Sequence, residues 1–258
     1  MSDVAHNPLL AGPIPRPGPH DTGGRRYLAS YLLMRLVIGL VGIALPLVLV
    51  LGDLALTGSV PWRGSLSAYY YSGGGDLFVG AMVATGLFLL TYRAFERSWE
   101  NVLSGLAGLA ALGVALFPTD GGDRLTPLQV GLGEGTVAAV HYTCAGVFIG
   151  SLALISVIFS RKEAERPGVS SARRRFWRDL HLGLAAVIVL AVVVILLQLL
   201  GPASLFVGEV VAVVAFGLSW LLKGTELRQL HLPELSRPDP GDPVPAGTVD
   251  LREQTRTT

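Results

Sequence analysis

Six apolar stretches, each long enough to cross a membrane, alternate along the chain with short charged blocks. A membrane-spanning helix needs about 20 predominantly apolar residues. Because the stretches do not alternate apolar and polar residues as barrel strands do, helices are expected. The pattern predicts an all-α integral membrane protein with a six transmembrane helix bundle. The stretches run from about Ser30 to Gly52, Gly75 to Tyr92, Asn101 to Phe117, Gly135 to Phe159, His181 to Leu200 and Ala203 to Leu222.

The two ends of the chain differ in composition from this middle part. Ten of the 16 prolines lie near the termini, between positions 8 and 19 or between 233 and 245. We therefore predict disordered tails at 1–25 and 230–258 around a transmembrane domain at 26–229. The first twenty residues hold no apolar core of signal-peptide length, so the first stretch is expected to remain as a membrane anchor.

Composition supports a membrane protein and excludes an ordinary soluble enzyme. Hydrophobic residues make up 51% of the chain and charged residues only 15%, against about 25% charged in soluble domains. The net charge of +1 gives no field that would recruit nucleic acid. Cys144 is the single cysteine, so no internal disulfide is possible.

The basic residues predict the orientation, because loops on the cytoplasmic side are rich in Lys and Arg. One set of loops carries nearly all of them, and the opposite set carries only Arg63 and Arg124. Both termini are therefore predicted to be cytoplasmic, in a multi-pass protein of the cell membrane. Arg35, near the inner end of the first stretch, is expected to extend to the headgroups. The cytoplasmic set is Arg16, Arg25, Arg26, Arg93, Arg97, Arg161, Lys162, Arg166, Arg173, Arg174, Arg175, Arg178, Lys223 and Arg228.

Polar residues at membrane depth gather toward the predicted outer face. Such residues are costly in lipid and usually face a bundle interior. Our candidate outer-face polar pocket consists of Ser67, Tyr69, Asp76, His141 and Glu209. Simpler roles remain open: a carboxylate in a first helical turn for Asp76, and an interhelical hydrogen bond for His141.

The preferred function is the binding or sensing of a lipid or other amphiphile in this pocket. One alternative is a membrane-embedded lipid hydrolase that uses Asp76, His141 and Glu209. The other is a small cation-coupled transporter in which Glu209 and Asp76 bind the ion. No metal and no cofactor are predicted, because the outer face offers one histidine and no paired-histidine spacing.

Two further patterns suggest partners. Gly146 and Gly150 form a small-residue face of the kind that packs helices closely. Packing within the chain is the preferred explanation, and a homo-oligomer is the alternative. The basic block from Ser171 to Arg178 suits membrane lipids with anionic headgroups, although topology alone also demands it.

The order of motifs between 65 and 150 resembles a known group of proteins. A Ser-x-Ser-x-Tyr stretch from Ser65 to Tyr69 precedes Asp76 and the Leu-Phe-Val-Gly of 77–80. The sequence Gly-Val-Ala-Leu-Phe-Pro follows at 113–118, and then His141 with Ala-Gly-Val-Phe at 145–148. This order resembles a broad group of uncharacterised six-span prokaryotic membrane proteins, a domain of unknown function, and in layout the DRAM and Frag-type membrane proteins.

The resemblance implies a shared outer-face arrangement of Ser67, Asp76, Pro118 and His141 but no catalytic residue. Seven-span hydrolases of the ceramidase and adiponectin-receptor type pair Ser and Asp with three histidines. This chain departs from that pattern, because it has six stretches and one outer histidine.

Overall fold

The computed structural model describes residues 22–58, 63–92, 98–122, 124–166 and 168–235, and these are helical with short connections. Two 3₁₀ turns, Ser67–Tyr71 and Gly201–Ala203, precede α2 and α7. The prediction of an all-helical protein is confirmed for the described residues. The α-helices are α1 (Thr22–Thr57), α2 (Gly75–Thr91), α3 (Trp99–Leu116), α4 (Pro127–Leu132), α5 (Glu134–Ala164), α6 (Ser171–Leu196) and α7 (Ser204–Leu235).

The six longer helices form a closed ring in chain order. Each packs against the next one along the chain, α7 packs against α1, and α5 also touches α7 across the ring. Successive helices run in opposite directions, so the bundle has two ends. We call the end where α1 finishes and α7 starts the Glu209 end, and the opposite end the Glu100 end.

The helices fit a membrane protein. By length and composition, five helices in the described part can cross a membrane, at Leu32–Thr57, Trp99–Leu116, Glu134–Ala164, Ser171–Leu196 and Gly201–Gly224. The sixth predicted span corresponds to α2, an apolar helix of 17 residues at Gly75–Thr91. All six apolar stretches are thus helices, and α2 is the shortest of the six.

Helix ends fall where local chemistry caps them, and two differ from the predicted domain boundaries. Ser98 and Ser170 accept hydrogen bonds from the first turns of α3 and α6. Helix α1 begins at Thr22, inside the predicted tail 1–25, and α7 continues to Leu235, past the boundary at 230. The remainder of both predicted tails lies outside the described residues.

Glycines set the closest helix contacts. A Cβ added at Gly217 would lie 2.8 Å from the carbonyl oxygen of Gly39, so α1 and α7 meet backbone to backbone. Gly86 and Gly108 join α2 to α3 in the same way, at 2.9 Å or less. In contrast, Gly146 and Gly150 are exposed, and an added Cβ at either would meet no described atom within 4 Å. The expected packing role of these two glycines within the chain is therefore wrong.

Candidate ligand site at the Glu209 end

Glu209 joins α7 to the segment that connects α1 with α2. The segment folds back into a 3₁₀ turn at Ser67–Tyr71. The backbone N–H of Leu66 donates to Glu209 Oε2 at 2.6 Å, and the Ser67 hydroxyl donates to Oε1 at 3.4 Å. A carboxylate in an apolar span needs such donors, because an unsatisfied charge is very costly there. Glu209 thereby anchors this connection, residues 63–74, which we call the 63–74 segment.

Two serines lie at the start of the 3₁₀ turn, Ser67 as its first residue and Ser65 two residues before it. The hydroxyl oxygens of Ser65 and Ser67 are 3.2 Å apart, and Ser65 Oγ accepts the backbone N–H of Ala68 at 2.9 Å. Both serines are buried. Two enclosed hydroxyl groups therefore lie next to each other here, and that of Ser67 contacts Glu209.

Asp53, at the end of α1, anchors the same segment from the other side. Its carboxylate accepts two hydrogen bonds from Arg63, at 3.0 and 3.3 Å. It also accepts the backbone N–H of Gly73 at 3.1 Å. Because one buried carboxylate holds both ends of the 63–74 segment, the segment is closed into a loop over the Glu209 end of the bundle.

Tyr69 fills the interior of this loop. Its ring lies 6.5 Å from that of Phe206, one turn before Glu209 on α7. The guanidinium of Arg63 lies 6.0 Å from the Tyr69 ring on another side. Burial raises the pKa of the Tyr69 hydroxyl, as does the Asp53 charge, while Arg63 opposes the shift. Tyr69 is thus neutral and packs the loop against α7.

A second hydrogen-bonded cluster lies between α3 and α5. Tyr71 donates to the carbonyl oxygen of Thr119 at 2.5 Å, and the Gln129 amide donates to the Tyr71 hydroxyl at 2.8 Å. The Thr119 and Tyr142 hydroxyls are 2.8 Å apart, and Tyr142 donates to the carboxylate of Asp120. That bond lowers the pKa of Asp120, while burial raises the pKa of Tyr71. The cluster ties the 63–74 segment to the α3–α5 connection.

His141 belongs to this second region, not to Glu209. Its Nδ1 lies 2.7 Å from the carbonyl oxygen of Phe117, at the end of α3. The His141 side chain is buried. The histidine therefore has the interhelical hydrogen bond that a polar group at this depth needs.

The predicted pocket residues are thus only partly brought together. Ser67, Tyr69 and Glu209 lie in one contact between the 63–74 segment and α7. Asp76 is exposed in the first turn of α2. In the described part of the chain, no hydrogen bond links Asp76, His141 and Glu209, and no group of three His, Cys, Asp or Glu is placed to hold a metal ion.

The Glu100 end contains a buried ion-pair network that sequence reasoning missed. Glu100 accepts from Arg35 at 2.6 Å, from the Tyr92 hydroxyl at 2.5 Å, and from Lys162. The guanidinium of Arg35 also lies 4.8 to 5.3 Å from three ring centroids, those of Tyr92, Phe159 and Trp220. Arg35 is only 1% exposed, so the expectation that it extends to the headgroups is wrong.

Neighbouring pairs extend this network through α5, α6 and α7. Glu163 forms ion pairs with Lys223 and with Arg166. His181 Nδ1 lies 2.9 Å from the Ser219 hydroxyl. The signal for these residues was present in the sequence as ionisable groups at the ends of apolar stretches. The sequence pattern does not show which helix ends face one another, so it does not predict these contacts.

No protein-family model, curated protein or solved structure matches the chain. The resemblance to six-span proteins of unknown function therefore stays a prediction.

Proposed function

We propose that the protein is a six-span protein of the cell membrane with both termini in the cytoplasm and the Glu209 end facing outward. Five long apolar helices and the shorter α2 support the span count. Lys162, Arg166 and the basic first turns of α6 lie at the Glu100 end. Arg63 and Arg124 lie at the other end. This asymmetry supports a cytoplasmic Glu100 end.

The function that the geometry supports best is binding of a lipid or other amphiphile at the Glu209 end. One observation carries this proposal: the carboxylate of Glu209, within an apolar span, has its donors on a connecting segment and not on a neighbouring span. Donors on a connection can be exchanged for those of a headgroup without separating helices. Ser67 and Tyr69 supply further polar contacts beside it.

The two alternatives gain unequal support. The hydrolase needs Asp76, His141 and Glu209 together, and these residues share no hydrogen bond among the described side chains. A cation-coupled transporter needs a carboxylate that lies within a membrane span and forms no ion pair with Lys, Arg or His. Glu209 meets that condition within the described residues, because its hydrogen bonds come from Leu66 and Ser67 and no Lys, Arg or His forms an ion pair with it.

The exposed glycines of α5 support a second partner, another copy of this chain. Gly146 and Gly150 leave open space on a surface that faces lipid. Small residues allow close helix approach in membranes. We include a homo-oligomer through this face in the proposal.

Retained lipid measures the proposed binding directly. Protein extracted gently from its own membrane is examined by native mass spectrometry. Wild type is compared with Glu209→Gln and Asp76→Asn after each variant is shown to have the melting temperature of wild type. We expect a bound amphiphile in wild type and in Asp76→Asn, and its loss in Glu209→Gln. Equal retention in all three proteins would show that the lipid binds elsewhere.

A further inference from the structure

Three side-chain oxygens form two successive close pairs, with Ser67 Oγ in the middle, where the 63–74 segment contacts α7. Ser65 Oγ is 3.2 Å from Ser67 Oγ, and Ser67 Oγ is 3.4 Å from Glu209 Oε1. Hydrogen bonds from a hydroxyl group to another hydroxyl or to a carboxylate oxygen are normally about 2.5–3.0 Å long. The three oxygens are therefore close together without being drawn into strong mutual hydrogen bonds.

These spacings match the oxygen ligands around a cation of the size of Ca²⁺ or Na⁺. Ca²⁺ takes oxygen ligands at about 2.3–2.6 Å, which places adjacent ligands of an octahedron about 3.3–3.7 Å apart. For Mg²⁺, at about 2.0–2.1 Å, adjacent ligands are about 2.8–3.0 Å apart. The observed distances thus favour an ion larger than Mg²⁺.

The charge around these oxygens favours a monovalent ion. Glu209 lies in the apolar span Gly201–Gly224. Among the described residues no Lys, Arg or His forms an ion pair with it, and Arg63 on the same segment is paired with Asp53. One carboxylate neutralises one positive charge. A divalent ion would leave a net charge within the apolar span, which is expensive.

We propose that Glu209, Ser67 and Ser65 form a sodium site between α7 and the 63–74 segment. Glu209 Oε1 and the two hydroxyl oxygens are the protein ligands, and the second Glu209 oxygen stays on the Leu66 N–H. Ser65 Oγ accepts one N–H, from Ala68, and keeps a lone pair for the ion. Because its ligands come from both elements, the ion holds the segment on α7.

This inference goes beyond amphiphile binding, because the ion needs no amphiphile among its ligands. It supplies the coupling ion that the transporter alternative requires, with Ser65 and Ser67 as ligands in place of the exposed Asp76. The sequence predicts Ser67 and Glu209 in one polar pocket but not as ion ligands, and it does not predict Ser65 there. The contact joins residues more than 140 positions apart.

Binding of radioactive sodium to purified protein tests the site. The protein is kept in choline chloride without added amphiphile, and ²²Na⁺ binding is followed with unlabelled Na⁺, K⁺ or Ca²⁺ as competitor. We expect saturable binding that Na⁺ displaces best. Glu209→Gln should lose it, and Ser67→Ala should weaken it by about tenfold, since one of three protein oxygens is removed. Asp76→Asn, which changes an exposed carboxylate, should bind like wild type.

Three results would overturn the sodium site. They are no saturable binding to wild type, undiminished binding to Glu209→Gln, and displacement by Ca²⁺ or K⁺ at lower concentration than by Na⁺. If Glu209→Gln does not fold, the wild-type competition and Ser67→Ala decide the question. Because no amphiphile is added, a negative result for sodium binding would not decide whether the protein retains lipid in the native mass spectrometry experiment.

Discussion

Carboxylates inside this bundle are satisfied in two different ways. Glu100 meets two cations and a phenol hydroxyl at one end, whereas Glu209 meets an N–H and a hydroxyl at the other. A fully paired buried charge resists exchange, because removing either partner strands the other. A carboxylate held by neutral donors is the one suited to a changing partner.

Breaking the Glu100 network should be among the most destabilising single changes in the chain. We expect Glu100→Gln to lower the free energy of unfolding by about 3–5 kcal/mol, because the charge of buried Arg35 is left uncompensated. Reversible unfolding in mixed micelles measures this. Asp179→Asn is the matched control: it removes the exposed partner of Arg178 and should cost about 1 kcal/mol or less. Equal effects of the two changes would contradict the buried ion pair.

The hydroxyl of Tyr142 should control the titration of Asp120. The hydrogen bond from Tyr142 lowers the pKa of Asp120 in the folded protein. This hydrogen bond therefore stabilises the folded protein at pH values above the ordinary aspartate pKa. The stabilisation is lost as pH falls through the lowered pKa of Asp120. In Tyr142→Phe we expect the Asp120 pKa to move up toward the ordinary value of about 3.9. Carboxyl ¹³C NMR titration follows it, and an unchanged titration would refute the bond.

At the scale of elements, some glycines allow two helices to pack closely, whereas others lie on a helix face that contacts no other described helix. Gly39 and Gly217 bring α1 and α7 together without side chains between them. Gly146 and Gly150 face outward on α5. Motif spacing does not separate these cases, because a G-x-x-x-G face indicates close packing without naming the partner helix.

Leucine substitutions should separate the two kinds of glycine. Gly217→Leu places a side chain against the backbone of α1, so we expect failure to fold or a large loss of thermal stability. Gly150→Leu should leave the melting temperature nearly unchanged and convert the proposed homo-oligomer to monomer, as light scattering after gel filtration would show. A melting temperature equally reduced by both changes would contradict the open α5 face.

Removing either carboxylate anchor of the 63–74 segment should loosen the segment only near that anchor. Asp53→Ala removes the acceptor of the Gly73 N–H, and Glu209→Gln weakens the acceptor of the Leu66 N–H. Hydrogen exchange followed by mass spectrometry should show faster exchange near Gly73 in the first variant and near Leu66 in the second. Exchange that is slow at both sites in both variants would mean that neither carboxylate holds the segment.

At the scale of the whole molecule, the sequence predicted the helices well and the contacts between them poorly. Apolar length alone predicted α1, α2, α3, α5, α6 and α7, although α2 is shorter than the other five. It placed Glu209 inside a span but not on Leu66, because that contact joins residues 143 positions apart. It also brought Asp76 and His141 to the same outer end without revealing that they lie on different parts of it. Depth in the membrane follows from chain position, whereas rotation about a helix axis depends on packing.

Accessibility from the two sides of the membrane tests the proposed topology. In a Cys144→Ala background, Asp120→Cys at the Glu209 end and Arg173→Cys at the Glu100 end both occupy exposed positions. An impermeant maleimide should label Asp120→Cys in intact cells and Arg173→Cys only after permeabilisation. The reverse pattern would invert the orientation.

The central claim is that the contact between Glu209 and the 63–74 segment is where an amphiphile binds. Photo-crosslinking with a diazirine-bearing lysophospholipid in native membranes, followed by peptide mapping, tests it most directly. We predict crosslinks on residues 65–71 and on α7 around Glu209 that disappear in a folded Glu209→Gln variant. Crosslinks confined to the exposed leucines of α1 and α6, unchanged by that substitution, would contradict the claim.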